Sequence, residues 1–262
     1  MTEKRSRKRR AIERRLDEIL LIAETIISKK GLKELTLQEV ISKSSISRGT
    51  FYKLFPSKET LITYLGIKGL NYWSALMEKA AEYDALSRER LLILYATHVL
   101  CNRLEPIYYK CIFIANAEVN RMAVDVELNA ILDDRINNLI SFIEECIHLA
   151  IKEGNLKMPP NLSTLEMAFF IWANRYGATI AAYNYQMSSA DLTLKYKIYT
   201  DYSLDNMQWR PLSTEINYER VLRNIFNTFY KKEKNIVKKI HPEVQPFSIT
   251  EQSFDEDLPI DV

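Results

Sequence analysis

Glycine and proline are scarce in this sequence, which has 6 glycines and 8 prolines among its 262 residues. Because these two residues punctuate turns, their scarcity favours an all-α protein over a sheet protein with many tight turns. Uncharged apolar runs of about 18 residues are also missing, so we expect no membrane-spanning helix and no membrane partner. The basic start is not followed by the apolar segment of a secretory signal, and we therefore expect the protein in the cytoplasm.

The sequence also lacks the residue patterns that catalysis and metal binding need. It has no G-x-S-x-G, no H-E-x-x-H and no glycine-rich phosphate loop, which argues against an enzyme. Its three cysteines and three histidines match no zinc spacing, so we expect no metal, no cofactor and reduced thiols. These residues are Cys101, Cys111, Cys146, His98, His148 and His241.

The two parts of the chain differ in charge. Residues 1–70 carry 16 basic and 8 acidic side chains, a net charge of +8, and the rest carries 20 basic and 26 acidic side chains, a net charge of −6. Such a split indicates that the first part meets a polyanion. Taken by itself, the cationic run within residues 4–15 is more often a solvated tail. Next to the motif described below, it predicts a basic arm at residues 1–12, with residues 4–10 disordered until DNA binds.

Capping residues mark the helices that follow the arm. Residues 11–30 carry apolar side chains at helical spacing, and Gly31 stands just past the end, where a helix C-terminus favours glycine. Thr36 with Glu39 three residues later is typical of a capped helix start. The sequence therefore predicts a long first helix and a short second one that begins after Thr36.

A third helix follows after a three-residue turn at 44–46. Ser47 is a helix cap, and Pro56 ends the helix 48–55. Two short helices joined by a tight turn form a helix-turn-helix, here residues 36–55.

The helix 48–55 has two chemically different faces. Its aromatic residues Phe51 and Phe55 predict a buried face, whereas a guanidinium, an ammonium and a phenol fall on the other face with Gly49. Cations and hydroxyls suit phosphate oxygens, and Arg or Lys can also donate to guanine, so the partner that fits is duplex DNA with this helix in the major groove. The predicted DNA-binding residues are Thr36, Ser47, Arg48, Gly49, Thr50, Tyr52, Lys53 and Lys58.

The stretch TLQEVISKSSISRGTFYKLFPSKETL, residues 36–61, resembles the N-terminal signature of the TetR family of bacterial repressors. The likeness rests on the threonine start, the Gly-Thr-Phe-Tyr run and the Ser-Lys-Glu before Leu61, and it extends over residues 13–73. One departure is the turn, where Ser44-Ser45-Ile46 replaces the family's usual Ala-Gly-Val. If Ser45 takes the positive φ of that glycine, we expect backbone strain there.

The resemblance implies a larger helical domain that binds a small-molecule effector and forms a homodimer, which we place at residues 74–235. Its aromatic residues with polar tips, and one arginine within an apolar helix, predict the effector pocket. These residues are Trp73, Tyr95, His98, Tyr109, Trp172, Arg175, Tyr176 and Tyr183. The predicted dimer helices are 163–187 and 217–232, with Ala173, Gly177, Ala181, Leu222 and Phe226 in the interface; packing inside one subunit is the alternative for the small residues.

Two segments have no assigned role. Residues 188–216 form an insert that is long for a simple connection. Residues 236–262 contain three prolines and end in acidic residues, which predicts a disordered tail.

The interpretation is an all-α DNA-binding transcriptional regulator, a repressor that binds a palindromic operator as a dimer and is released by a small molecule. The unusual turn motivates an alternative, a helical ligand-binding protein whose helix-turn-helix no longer binds DNA. A helical enzyme is a second alternative, which the missing catalytic patterns disfavour.

Overall fold

The structure, a computed structural model, describes residues 3–80, 82–185 and 189–240, without the side chains of 3–11, 182–183 and 189–197. The described residues form α-helices and short 3₁₀ turns, and they include no strand, which confirms the all-α prediction. The helices are α1 (Glu3–Lys30), α2 (Leu37–Lys43), α3 (Arg48–Leu54), α4 (Lys58–Glu78), α5 (Ser87–Leu104), α6 (Pro106–Ala115), α7 (Glu118–Met122), α8 (Val126–Lys152), α9 (Thr164–Asn184), α10 (Ser189–Asn206), α11 (Tyr218–Thr228) and α12 (Lys231–Ile240).

The chain divides into two compact units, and the first consists of residues 1–75 and 105–139. Its core gathers the apolar faces of α1 to α4, and α6 packs onto the same core. The burial of these aliphatic and aromatic side chains is the main force that holds the short helices α2 and α3 in place, because helices of this length are marginal in water. Core members are Ile19, Ala23, Val40, Phe51, Phe55, Leu61, Leu65, Tyr108 and Cys111.

Helices α4 and α6 of this unit lie very close together. A Cβ atom added to Gly66 would stand 2.9 Å from the carbonyl oxygen of Cys111, and one added to Gly69 would stand 2.8 Å from that of Tyr108. A larger residue at either position would have to push α6 away. The phenol of Tyr108 also donates a hydrogen bond to Glu24 of α1, so α6 is fixed to two helices of the unit.

The second unit consists of residues 76–104 and 140–262, of which the structure describes residues up to Ile240. Helix α5 is buried along most of its length and packs against α11 and α12, while α9 packs against α10. The phenol of Tyr230 donates to the backbone oxygen of Leu76 at 2.6 Å, and Lys79 pairs with Glu233 of α12. These contacts tie α12 to the start of the unit.

The predicted boundaries differ from the structure in several places. The basic arm, expected to be disordered without DNA, is helical from Glu3 onwards as part of α1. Residues 105–139, which the sequence assigns to the second domain, group with the N-terminal part. The insert contains α10. Residues 236–240, expected to be disordered, belong to α12, and the rest of the predicted tail, 241–262, lies outside the described residues.

Candidate nucleic-acid interface and ligand cavity

Helix α3 starts at a cap that its own sequence supplies. The hydroxyl of Ser47 accepts a hydrogen bond from the backbone N–H of Thr50 at 3.3 Å and lies 2.9 Å from the hydroxyl of Thr50. Phe51 and Phe55 are fully buried, with ring centroids 5.4 Å apart, and Phe55 also meets Tyr64 of α4 edge to face. The buried face therefore fixes the rotation of α3 about its own axis.

The opposite face of α3 is exposed and cationic. Arg48, Gly49 and Lys53 are exposed, and Tyr52 is half-buried. The guanidinium carbon of Arg48 lies 5.7 Å from the ring centre of Tyr52, one helical turn away, which is within the range of a cation–π contact. No atom of the described residues lies within 4 Å of a Cβ built on Gly49, so internal packing does not explain the glycine.

Helix α2 is stabilised by its cap and by ion pairs. The hydroxyl of Thr36 accepts from the backbone N–H of Glu39 at 3.3 Å. The carboxylate of Glu39 binds Lys43 at 2.8 Å and Lys30 at 2.9 Å, and these two ammonium groups lower the pKa of Glu39. The pairing joins the end of α1 to α2. Two cations of the unit thereby bind a carboxylate of the same unit.

The turn between α2 and α3 is relaxed, so the expectation of strain at Ser45 is wrong. Among the described non-glycine residues, Gln208 has the one positive φ. Glu18 of α1 accepts from the backbone N–H of Ser45 at 2.6 Å and from its hydroxyl at 2.8 Å. These hydrogen bonds lower the pKa of Glu18. The serine that replaces the family's glycine thus ties the turn to α1, a contact that sequence reasoning missed.

The start of α4 lies beside the same surface. The hydroxyl of Ser57 accepts from the backbone N–H of Thr60 at 3.1 Å and caps the helix. The ammonium of Lys58 donates to the backbone oxygen of Lys33 at 3.1 Å. Since an ammonium has three donors, this bond leaves Lys58 able to bind a phosphate as well.

A cavity in the second unit lies between α5, α9, α10 and α11. It has about 400 Å³ of empty space, including its opening to solvent. Two of the predicted ligand residues, Tyr95 and Arg175, line it. Its full lining is Arg88, Leu91, Leu92, Tyr95, Arg175, Thr200, Asp201, Leu204, Tyr218 and Leu222.

The other predicted ligand residues lie elsewhere. Trp73 and Tyr109 belong to the first unit, where their ring centroids are 5.9 Å apart. His98 is buried, and burial followed by the charge of Arg175 holds its pKa well below the usual value. Trp172 and Tyr176 stack on each other along α9, with centroids 4.9 Å apart, and are not part of the lining. The side chain of Tyr183 lies outside the described residues.

Sequence reasoning missed the ionic network at one end of the cavity. The buried guanidinium of Arg88 pairs with Asp205 at 2.6 Å and with Asp201 at 3.4 Å, and it donates to the backbone oxygen of Trp209 at 2.8 Å. Tyr218 accepts from Arg88 and donates to Asp201. The aspartates at a four-residue spacing on α10 were the available signal, but nothing local shows that Arg88 is buried.

The predicted dimer residues fall into two groups. Gly177 and Ala181 are exposed and Ala173 is half-buried, so this stripe of α9 is open in the single chain. Leu222 and Phe226 are fully or almost fully buried inside the protomer, and their side chains have no surface to offer a second subunit. The exposed face of α11 is polar. Exposed apolar residues lie on α9 and α10 instead: Leu165, Phe169, Phe170, Ile198, Tyr199 and Tyr202.

The described residues lack two other classes of site. No helix there is long and apolar enough to cross a bilayer. No three His, Cys, Asp or Glu side chains of the described part lie close enough together to hold a metal ion.

Comparison with known sequences identifies the N-terminal domain. Residues 19–65 match the family described as bacterial regulatory proteins, tetR family. Over 74 residues the chain is 31% identical to YfiR, an uncharacterized HTH-type transcriptional regulator of Bacillus subtilis (strain 168). That match covers 28% of this chain and 36% of YfiR, so it spans little more than a third of the curated relative. Residues 19–65, with α2 and α3 at their centre, are a helix-turn-helix domain of the TetR family.

Solved structures extend the likeness beyond that domain. A TetR-family transcriptional regulator from Agrobacterium tumefaciens aligns with a TM-score of 0.53 at 17% identity, over 74% of this chain and 98% of that chain. The MbdR regulator from Azoarcus sp. CIB gives 0.53 at 16% identity, over 75% and 97%. TylP, a TetR regulator from Streptomyces fradiae, gives 0.52 at 16% identity, over 84% and 93%. At such identities the likeness is one of fold.

Proposed function

We propose that the protein is a transcriptional regulator that binds duplex DNA with α3 in the major groove. The observation that carries the proposal is the exposed face of α3, where Arg48, Tyr52 and Lys53 surround a glycine that internal packing does not require. The buried aromatic face supports the proposal, because it holds the exposed face in one orientation.

Each side chain of this face has a proposed role. Arg48 and Lys53 lie on α3 itself and read base edges, because a guanidinium or ammonium can donate to guanine O6 and N7. Tyr52 and Lys58 bind phosphates, which position the protein without reading sequence. Ser47 and Thr36 cap their helices, and Thr50 lies with its hydroxyl 2.9 Å from that of Ser47. All three present hydroxyls to the backbone of DNA.

We also propose a homodimer formed by α9 and α10 rather than by α9 and α11. Leu165 and Phe169 continue the series Ala173, Gly177 and Ala181 at the same four-residue spacing, and both are more than half exposed, at 56% and 54%. Contiguous exposed apolar surface of this kind marks a protein–protein contact. Two-fold symmetry suits the function, since paired recognition helices meet successive major grooves of a palindromic site.

We further propose that the protein represses transcription in the cytoplasm. A small molecule that binds in the second unit releases the protein from the operator. The cavity lined by Tyr95 and Arg175 supports the existence of an effector site. The alternative of a ligand-binding protein without DNA binding is motivated by the altered turn. The hydrogen bonds between Glu18 and Ser45 weaken that motive, because they hold the turn without strain.

The test is selection of binding sites from random-sequence duplex DNA by the purified protein. We expect repeated selection to enrich a two-fold symmetric motif, and we expect Lys58→Ala to weaken binding to all duplexes alike and to reduce the salt slope by about one. Selection without any enriched motif, together with unchanged salt dependence in the variant, would contradict DNA recognition and favour the ligand-binding alternative.

A further inference from the structure

Helix α12 in the second unit is rich in lysine. Its lysines are exposed, apart from the half-buried Lys234, and they are Lys231, Lys232, Lys234, Lys238 and Lys239. The acidic residue of the helix, Glu233, is buried and pairs with Lys79, so its carboxylate does not offset these charges. Among the described residues, the four exposed lysines form no ion pair. The outer side of α12 is therefore strongly cationic.

These lysines also stand close to a cation of α11. The ammonium of Lys234 donates to the side-chain oxygen of Asn227 at 2.6 Å, which places it beside α11. Burial first, and then the charges of Lys238 and Arg223, lower the pKa of Lys234. Lys234 and Lys238 are four residues apart on one helix, a spacing at which like charges destabilise each other.

We call this group of like charges the cationic patch, formed by Arg223, Lys231, Lys234 and Lys238. One carboxylate lies at its edge, because Glu219 pairs with Arg223. Four cations and one carboxylate leave the patch with a net charge of +3. A negatively charged partner would relieve the repulsion among these groups.

Apolar surface borders the cationic patch on the same helix. Ile236 is 38% exposed and Ile240 is 54% exposed, and the two are four residues apart, so they share one side of α12. Val237, in contrast, is buried. The surface therefore fits a partner that carries carboxylates together with apolar side chains.

The chain itself contains a segment of that composition. Residues 251–261 carry five acidic side chains and no basic one. Apolar residues stand between the acids, in the order Glu251, Phe254, Asp255, Glu256, Asp257, Leu258, Ile260 and Asp261. The charges and the apolar groups of this acidic segment complement those of the cationic patch and its border.

The connection is long enough to return the acidic segment to α12. Ten residues, 241–250, separate the segment from Ile240, and they span at most about 35 Å. Helix α12 has 10 residues and is about 15 Å long. A segment tethered over so short a connection meets the patch at an effective concentration on the order of millimolar, so even a weak contact forms in most molecules.

We propose that residues 251–261 bind to the cationic patch of the same protomer, with their carboxylates on its lysines and arginine and their apolar side chains against Ile236 and Ile240. The bound segment neutralises the patch and closes it to other polyanions. Sequence-independent DNA binding depends on contacts between cations and phosphates. Resting on the function proposed above, the acidic segment therefore limits non-specific binding of DNA by the second unit.

Cross-linking of the full chain with a water-soluble carbodiimide tests the contact. This reagent joins a carboxylate to an ammonium only where the two touch, and tryptic peptides identify the pair by mass. We expect the acidic segment to be linked to Lys231, Lys234 and Lys238, with less product at high salt because salt screens the attraction. Lys152 and Lys157, exposed lysines of the same unit, are the controls and should give little product. An equal yield at the control lysines, or links mainly to Lys53 and Lys58, would overturn the proposal.

A mixture of ¹⁵N-labelled and unlabelled protein distinguishes the occupant of the patch. A contact within one protomer gives linked peptides that are both labelled or both unlabelled. Linked peptides of mixed label in the statistical proportion would assign the acidic segment to the patch of a second copy and would overturn the contact within one protomer.

Two sets of substitutions test the effect on DNA. Replacement of the five acids by their amides should raise the affinity for a random duplex at least about tenfold at low salt, because the uncovered cations can bind phosphates. The substitutions are Glu251→Gln, Asp255→Asn, Glu256→Gln, Asp257→Asn and Asp261→Asn. Further replacement of the three patch lysines by glutamine should abolish this increase, whereas Lys152→Gln with Lys157→Gln should retain it.

The outcomes separate the contact from the proposed function. An increase that persists without the patch lysines would show that the acidic segment covers another cationic surface, and it would overturn the proposal. No increase in the amide variant would overturn the effect on DNA and leave the cross-links to decide the contact. A protein that binds no duplex at all would contradict the proposed function, and the cross-links would still confirm or overturn the contact.

Discussion

Single residues show which roles the local sequence determines and which it does not. Ser47 and Thr36 cap their helices where the sequence predicts, because the cap and the N–H that it satisfies are three residues apart. Arg88 shows the opposite case. Its burial depends on Asp201 and Asp205, more than a hundred residues away in the chain, and no short-range pattern reveals that pairing.

Gly49 gives the sharpest prediction at the scale of one residue. Gly49→Ala should leave the free energy of unfolding unchanged or raise it by up to about 1 kcal/mol, because alanine favours helix and the added Cβ meets no atom within 4 Å. If the backbone of α3 approaches DNA here, the same change should weaken binding at least about tenfold, or 1.4 kcal/mol. Urea unfolding and fluorescence anisotropy with a selected duplex measure the two quantities. A variant that is stable and binds the duplex as tightly as the wild type would mean that DNA does not approach α3 at Gly49.

His98 predicts a pH dependence of stability. Its pKa is lowered in the folded state, so the unfolded chain binds more protons just below the ordinary value of 6.5. The stabilisation is complete above pH 6.5 and is lost as the pH falls, with a limiting slope of about 1.4 kcal/mol per pH unit for one proton. Urea unfolding between pH 5.5 and 7.5 should show a smaller slope for His98→Gln than for the wild type. Identical slopes would mean that His98 takes up its proton in the folded state as readily as in the unfolded chain.

Whole elements differ in how well their sequence predicts them. The helices α8 and α9 follow from apolar periodicity and from the Ser163–Glu166 capping pair, which the structure shows at 2.8 and 3.2 Å. Helix α10 was not predicted, because tyrosine, aspartate, serine and lysine alternate within the insert without an apolar stripe. The segment from Pro106 to Met122 forms two helices, α6 and α7, separated at Asn116 and Ala117.

The close contact of α4 with α6 predicts a stability effect at the scale of two elements. Gly66→Ala should destabilise the first unit by about 1–3 kcal/mol, because its Cβ would press on a backbone oxygen of α6 that has no rotamer to change. Gly49→Ala is the control, since its Cβ meets no atom within 4 Å. Thermal unfolding of both variants against the wild type measures the difference. A Gly66→Ala protein as stable as the Gly49→Ala protein would contradict the close contact of α4 with α6.

At the scale of the whole molecule, the sequence predicts a dimer. Two of the residues that it assigns to the interface, Leu222 and Phe226, are buried inside the protomer. Amphipathic α11 was chosen for its apolar stripe, and the structure uses that stripe for the interior of the protomer. Periodicity shows that a helix has an apolar face, but it does not distinguish a face that packs inside the chain from one that meets a partner. The exposed fraction of the apolar side chains distinguishes the two kinds of face, and it favours α9 and α10 for contact with a partner.

Phe169→Glu tests that assignment. The charge falls on exposed apolar surface, so the protomer should fold as before, while dimerisation should weaken at least about tenfold because a buried unpaired carboxylate is costly. Asn227→Glu, the same charge on the exposed face of α11, should leave the dimer intact. Sedimentation equilibrium at micromolar protein distinguishes them. Equal dimerisation constants for Phe169→Glu and Asn227→Glu would contradict an interface on α9.

The central claim is that the cationic face of α3 reads DNA, and the measurement that tests it most directly is the affinity of the protein for a selected duplex and a random duplex over a range of salt concentrations. The wild type should prefer the selected duplex, and log affinity for both should fall linearly with log salt. Arg48→Ala and Lys53→Ala should each lose about 1–3 kcal/mol of that preference, while Lys152→Ala, which removes an exposed cation of the second unit, should match the wild type. If both α3 variants keep the full preference of the wild type, α3 does not read the DNA sequence and the account is wrong.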